Sequence, residues 1–527
     1  MSAGSSEVGR LLTAAATEGE LPRLDYGDLL DWNVAVRPDA TAVVLDDRSV
    51  TFRELHRMTL AASSVLRGRG IAPGDRIGLL GANTMEWLAL SLGGLVNGVS
   101  VVPFNARYSP AEITALVARA ELKLLLAQPR FGRKDLSAYL GELSESQSVA
   151  VATIVDSVPG LDHANVGETA AAAAKSIGAH AHEVGTIMYT SGSTSAPKGC
   201  MLAQSGMIRN AALHTQRLGI TSSDVWFSPM PLYHAGGFVW GVTSMLVTGA
   251  TLVSQQTFDA ARAIDLVEAT QATYHHGVDT MFISEMESPA FDHARMRSLR
   301  IANSTGGRPV LERIHREMGV PGIVSKWGIT EGYGNLTLSS PDDELETRLE
   351  TVGRGYPGIE YRIDPVTTSG TGEILIRSSV MDGYFRDADS TAATVDPDGW
   401  LHTGDLGWFD SDGFLHYVGR SKQMLKVGGE NVSALEVEGV LLTYPGVTAA
   451  SVIGVSHPRL GEVPIAVVEA TTPERELADR LMQHCHDRLA RFKVPAEIVV
   501  VAPGEFPLTG SGKADAAGVR RLLEARS

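Results

Sequence analysis

Cysteine is scarce in this chain: its 527 residues contain only Cys200 and Cys485, so no disulfide framework holds it together. Cys485 lies between His484 and His486, but three adjacent residues rarely converge on one metal, and the segment reads as an ordinary helix of a small domain. An excess of positive charge is lacking too. The formal net charge is -16, which argues against nucleic acid as a partner, since binding a phosphate backbone needs clustered Lys and Arg. An acidic chain can still bind a small phosphorylated ligand, because phosphates respond to the local field of a cleft. Long apolar runs are missing as well. The most apolar stretch, Trp87 to Phe104, is interrupted by Gly93, Gly94, Asn97, Gly98 and Pro103, and it reads as a buried helix followed by a strand, with no integral membrane segment expected. The first residues have no basic region ahead of a long apolar stretch, Leu11 to Ala16 being short. A cytoplasmic location is therefore expected.

What is present is ordinary for a water-soluble globular protein: 44% apolar and 20% charged residues. The length predicts about three or four folding units. Helical and strand-like segments alternate, which predicts an α/β fold with largely parallel sheets. Ala42 to Leu45 reads as a strand, Thr51 and Glu54 as a capping box opening a helix, and Arg76 to Leu80 as the next strand. The alanine-rich stretch Glu168 to Ala174 reads as a linker or surface helix. Trp400 to Val418 reads as strands and tight turns, with Asp410-Ser411-Asp412-Gly413 as a hairpin signal. A boundary is expected near Gly419 to Lys422, leaving a compact unit of about 105 residues after it. The expected division is a large N-terminal part of several subdomains, residues 1–420, and a small mobile α+β domain, residues 421–527.

The densest motif is Thr190-Ser191-Gly192-Ser193-Thr194-Ser195-Ala196-Pro197-Lys198-Gly199, which follows an apolar strand at Thr186 to Tyr189. Hydroxyls, glycines and a lysine suit a polyphosphate: backbone N–H groups and hydroxyls donate to its oxygens and Lys198 neutralises charge. The Walker spacing is absent, and composition alone equally fits a polar loop without a ligand.

The segment resembles the signature loop of the adenylate-forming superfamily of acyl-CoA synthetases, amino-acid-activating domains and beetle luciferases, except that Ser195 stands where the family usually has glycine. Further matches follow in the family's order and cover roughly residues 30 to 520. Met230 to Phe238 resembles the segment that opens a helix beside the acyl pocket, which places His234 near the reacting carboxylate and Gly236, Phe238, Trp240, Gly241 and Gly277 around the acyl group. Gly306-Gly307-Arg308 resembles the stretch lining the nucleotide site. In Trp327-Gly328-Ile329-Thr330-Glu331, resemblance assigns an aromatic face for adenine to Trp327, an α-phosphate contact to Thr330 and Mg2+ to Glu331. Asp405, in Thr403-Gly404-Asp405, matches the acceptor of the ribose hydroxyls, and Arg420 a ribose or phosphate contact. Lys422 matches the hinge, followed by Gln423 where an acid is usual. Lys426, Gly429 and Asn431 match the thiol tunnel, and Lys513, in Gly510-Ser511-Gly512-Lys513, the catalytic lysine.

The resemblance implies a carboxylate–CoA ligase. The acid attacks the α-phosphorus of ATP to give acyl-AMP and pyrophosphate, and the acyl group then passes to the thiol of coenzyme A. ATP, Mg2+ and coenzyme A are the implied cofactors, with a small carboxylic acid as the remaining substrate. An enzyme loading a separate carrier protein and a non-catalytic nucleotide-binding relative are the alternatives. The start of the pocket helix has no acid to pair with a substrate ammonium, Asp279 (where the family often has proline) being the nearest candidate. A neutral, largely apolar acid is therefore expected. The sequence leaves the oligomeric state open.

Overall fold

The structure, a computed structural model, describes residues 3–105, 108–131, 134–147, 149–154, 178–190, 197–305, 307–365, 370–421, 424–427, 430–457, 459–474, 476–509 and 513–526. Its strands are short runs rich in Val, Ile and Leu, and most are buried on both faces, the pattern of a parallel sheet sandwiched by helices. One six-stranded sheet runs in the order Lys198–Ala203, Val184–Thr190, Ser100–Phe104, Arg76–Leu80, Leu124–Ala127, Ala150–Thr153. Its neighbours are parallel except for the first pair, the hairpin that brackets the phosphate-loop motif. The expected helix and strand within Trp87 to Phe104 are there as Met85–Leu95 and Ser100–Phe104.

A nine-stranded sheet carries the centre of the molecule. Its parallel body runs Gly322–Ile329, Ile301–Ser304, Tyr274–His276, Val225–Phe227, Thr251–Ser254, Thr41–Leu45, and antiparallel strands close both edges. The capping box forms as expected: Thr51 Oγ1 accepts the Glu54 N–H at 3.2 Å and Glu54 Oε2 accepts the Thr51 N–H at 2.8 Å, opening the helix Phe52–Gly68. A four-stranded antiparallel sheet follows and ends with Leu415–Arg420; Asp410 Oδ1 accepts the Asp412 and Phe414 N–H groups at its last turn. Residues from Met424 onward build a five-stranded sheet with the helices Ala434–Leu441, Leu477–His486 and Ala516–Glu524. Cys485 is buried in the second of these. The fold is α/β with mostly parallel large sheets and a smaller C-terminal sheet. The alanine-rich stretch 168–174 lies outside the described residues.

The C-terminal sheet docks on the helix Arg308–Glu317. Leu311 and Ile314 share one apolar cluster with Val437 and Leu441, and Arg313 Nη1 donates to the Leu442 carbonyl at 3.5 Å. Within the nine-stranded sheet, period two sends adjacent histidines to opposite faces. His275 pairs with Glu285, both fully buried, at 2.9 Å, whereas His276 turns toward the site described below. Removing the acid strands a buried imidazole. Glu285→Ala should lower the unfolding free energy by about 2–3 kcal/mol in denaturant titration; a loss below about 1 kcal/mol would show that the pair contributes little.

Candidate active site

In open α/β sheets, ligands bind beyond the carboxyl ends of the parallel strands. The motifs found in the sequence arrive there. His276 closes Tyr274–His276, Ser304 closes Ile301–Ser304, Thr330 follows Gly322–Ile329, and the Met230 to Gly237 segment follows Val225–Phe227.

Thr190 and Lys198 face each other as strand partners on either side of residues 191–196. Lys198 Nζ stands 4.9 Å from the Tyr384 ring centroid, and the Tyr384 hydroxyl donates to Glu331 Oε1 at 2.9 Å. Lysine, phenol and carboxylate thus meet beside the start of the strand Lys198–Ala203. Glu331 sits in the 3-10 turn Thr330–Gly332, which Tyr333 closes with φ 68. A Cβ on Gly206 would stand 2.3 Å from the Tyr333 ring, so that glycine is what lets the ring lock the turn onto the helix Gln204–Arg217. Gly328 has a similar role, since a Cβ there would stand 1.9 Å from the Gly334 carbonyl oxygen. Among the described residues no group of three or more His, Cys, Asp or Glu side chains could hold a metal by itself.

Asp405 is 2% exposed. Its Oδ2 accepts Trp327 Nε1–H at 2.9 Å, and its Oδ1 lies 3.1 Å from Arg420 Nε and 3.4 Å from the Tyr417 hydroxyl. Burial raises its pKa, and Arg420 opposes the shift. A carboxylate has about four lone-pair positions, so the three protein donors leave about one acceptor position open.

Lys513 reaches toward the same cleft from the C-terminal sheet. Thr509 N–H donates to the Lys513 carbonyl at 2.6 Å and Lys513 N–H to Thr509 Oγ1 at 3.2 Å, which closes the base of its loop. The residue is solvent-exposed yet walled by protein. Those walls lower the pKa of its ammonium, Asp279 opposes, Arg420 reinforces and Asp405 opposes; water reaching the chain limits the shift. Asp279 Oδ1 in turn accepts from Ser304 Oγ at 2.9 Å and Thr305 Oγ1 at 3.2 Å. His234 caps the short helix after it: Nδ1 accepts the Gly236 N–H at 3.1 Å, leaving the proton on Nε2. The surrounding protein, then Lys513 and Lys326, push its pKa down to about 4. Beside these residues a cavity of about 110 Å³ opens between Asn83, Pro231, Met281 and, from the C-terminal sheet, Thr448 and Leu508.

Residues 30–385 match the model of the AMP-binding enzyme family, and residues 436–513 that of the AMP-binding enzyme C-terminal domain. The chain belongs to the AMP-binding enzyme family. It is 33% identical to the 3-[(3aS,4S,7aS)-7a-methyl-1,5-dioxo-octahydro-1H-inden-4-yl]propanoyl:CoA ligase of Mycobacterium tuberculosis, over 94% of this chain and 98% of that one. Among solved structures, a benzoate CoA ligase from Burkholderia xenovorans superposes with a TM-score of 0.78 at 27% identity, covering 94% of this chain and 100% of the other. O-succinylbenzoate coenzyme A synthetase from Bacillus subtilis, in complex with ATP and magnesium ion, gives a TM-score of 0.77 at 27% identity, covering 92% and 98%.

The placement departs from the sequence reading at three residues of this AMP-binding enzyme. Arg308 is held by Glu312 on its own helix and by Glu346 and Glu350 on the helix Leu345–Glu350, all within 2.8 Å. Phe238 packs into the core against Tyr26 and Trp87, with ring centroids 5.8 and 6.2 Å away; two residues along the helical turn, Trp240 points elsewhere. A side chain on Gly277 would meet Phe282 at 3.1 Å and His275 at 3.3 Å, on the face opposite His276. A Cβ on Gly241 would make ordinary van der Waals contact with Leu252 at 3.6 Å and Ser228 at 3.8 Å, and one on Gly307 with Pro309 at 3.8 Å. Ser191, Gly192, Ser193, Thr194, Ser195, Gly306, Lys422, Gln423 and Gly429 lie outside the described residues. Lys426 and Asn431 pair as backbone partners in a hairpin.

The sequence reading also passed over Lys326, His276 and His214, which gather around Trp240. A lysine in the otherwise uncharged strand Gly322–Ile329 and a histidine pair ending Tyr274–His276 were the signals available.

His234 yields a pH test. Its depressed pKa means that the unfolded chain takes up this proton first, near pH 6.5, and the folded chain only near 4. Its contribution to stability is therefore complete above that window and declines as pH falls through it. The imidazole resonance assigned by comparison with His234→Gln should titrate near pH 4; a midpoint near 6.5 would contradict the placement.

Proposed function

We propose that this protein is an ATP-dependent carboxylate–CoA ligase that works through an acyl-adenylate. The observation that carries the reading is the convergence of Lys513, from the C-terminal sheet, with Asp405, Arg420 and Asp279 at the carboxyl ends of the parallel strands. In the first step a carboxylate oxygen bonds to the α-phosphorus of ATP and the bond to pyrophosphate breaks. Negative charge builds on phosphoryl and leaving-group oxygens, so positioning and fixed positive charge supply the acceleration.

The residues divide that work. Thr190 and Lys198 flank the loop segment 191–196 that we assign to the β- and γ-phosphates. Thr330 donates to the α-phosphate, and the Lys513 ammonium bridges that phosphate and the incoming carboxylate. His234, neutral, presents Nε2–H to the carboxylate. Glu331 is the residue suited to hold Mg2+, which would offset phosphate charge when bound. Asp405 orients the ribose with its remaining acceptor capacity and fixes Trp327 against the adenine side, with Gly307 leaving room for close approach.

In the second step the thiol of coenzyme A attacks the acyl carbonyl, releasing AMP and leaving acyl-CoA. We assign this step to a rotated C-terminal domain, residues 421–527, with Lys422 as the hinge and the segment Lys426 to Asn431 lining the thiol path. A separate carrier protein is the other possible thiol, and a cytoplasmic location remains part of the proposal.

For the acid, the relative's indene-derived propanoyl substrate and the aromatic surroundings of Trp240 favour a bulky, largely apolar carboxylate. An α-amino acid fits poorly. Asp279 is held by Ser304 and Thr305 and faces the charge of Lys513. Burying an unpaired charge there would cost on the order of several kcal/mol.

Pyrophosphate release across a panel of acids, with and without coenzyme A, tests the activity. Apolar acids should outpace every common amino acid, and thioester should form only when coenzyme A is present. An amino acid turning over fastest would overturn the substrate class. Lys513→Ala should lower ATP–pyrophosphate exchange by at least about a hundredfold and spare thioester formation from supplied acyl-adenylate. Equal loss in both half-reactions would remove Lys513 from its adenylation role.

A further inference from the structure

Adenylation and thioester formation leave one buried lysine without a use. Lys326, in the strand Gly322–Ile329, is 5% exposed. Its Nζ lies 2.8 Å from His276 Nε2 and 4.4 Å from the centroid of the Trp240 ring. Among the described residues no carboxylate forms an ion pair with it; Asp279 acts only through space. His276 is fully buried, and its Nδ1 lies 3.4 Å from Ser228 Oγ. The consistent tautomer gives Nδ1–H to the serine and offers Nε2 as acceptor to the lysine. Burial and the neighbouring cationic lysine both favour that neutral ring.

A lysine nitrogen has up to three donors. The imidazole takes one, and the indole face attracts another weakly. Burying such a group without a counter-ion is destabilising, and a well-packed apolar side chain of similar volume would avoid that cost. A group retained on these terms at the edge of a substrate site is a recognition candidate.

Its location is the edge of the acyl site. A Cβ on Gly236 would stand 2.9 Å from Met230 Cε, 3.4 Å from His234 Nδ1 and 3.7 Å from His276 Cε1, so Met230 fills the space at this glycine and the two imidazoles border it. Trp240 and His214 stack within 12° at 6.3 Å and form a flat wall beside the lysine. Asn210 Oδ1 fixes that wall by accepting Trp240 Nε1–H at 3.1 Å, and Asn335 Nδ2 fixes His214 at 2.8 Å.

We propose that Lys326, oriented by His276, is a specificity-determining residue that selects an acid whose apolar body carries a second oxygen acceptor, a ketone or a second carboxylate, aimed at its free N–H groups. This deepens the ligase reading and rests on it. An acid lacking that oxygen leaves a buried donor unsatisfied in the complex, which is how a polar pocket discriminates against an otherwise identical apolar analogue.

The experiment compares matched acids: octanoate with a keto-octanoate and with octanedioate, and cyclohexylpropanoate with its ring-ketone and ring-carboxylate derivatives. The readout is kcat/KM for pyrophosphate release by the full-length enzyme and by Lys326→Met, whose melting temperature is measured alongside. In the wild type at least one oxygen-bearing acid should exceed its plain partner by about tenfold or more. Lys326→Met should erase that ratio, with no loss on the plain acid beyond about twofold. If Lys326→Met fails to fold, His276→Gln is put to the same ratio test. The ketone and carboxylate arms then identify which oxygen the site takes. Turnover without discrimination in the wild type, or an equal loss on all acids in the variant, overturns this inference alone. No pyrophosphate from any acid overturns the ligase reading and this inference with it.

Discussion

The buried carboxylate of Asp405 is the constraint on which the rest of the site depends. It draws an indole N–H from the nine-stranded sheet and a guanidinium and a phenol from the four-stranded sheet onto one group. A desolvated carboxylate is stable only when its lone pairs are met, so the two sheets have one relative placement that satisfies it. Trp327 is thereby fixed, and with it the turn carrying Thr330 and Glu331 three and four residues further on. Arg420 is fixed too, at the last residue of the strand that leads into the C-terminal sheet.

Around this anchor the fold concentrates charge where parallel strands end. The C-terminal part of the chain contributes Lys513 to a place already holding Arg420, with Asp279 and Asp405 as the opposing carboxylates. Positive charge that the protein does not fully neutralise suits chemistry in which phosphates and a carboxylate meet. The cation beside Trp240 lies within the same field and fits the same logic applied to the far side of the substrate.

Much of this was legible in the sequence because it rests on local rules. The capping box at Thr51 and Glu54, the strands around Arg76 and Ser100 and the hairpin at Asp410 each follow from residues within a few positions of one another. The order of motifs likewise brought His234, Glu331, Asp405 and Lys513 forward as candidates, and the structure gathers the parts of the chain that carry them. Direction was not legible. Arg308 read as a ligand contact but pairs with Glu346 and Glu350, some forty positions away. Phe238 read as pocket lining but fills the core against Tyr26, more than two hundred positions away.

The sequence by itself determined the alternation of helix and strand, the family and the identity of the chemical groups available, because periodicity, capping and motif spacing act through covalent neighbours. Only the tertiary structure decided which of those groups share a cleft. Lys326 shows why: in the chain it is one lysine before a tryptophan, and its meaning comes from His276 and Trp240, fifty and eighty-six positions upstream. Burial removes the water that would otherwise satisfy its donors, and whether a side chain is buried, and beside what, is settled by packing between distant segments.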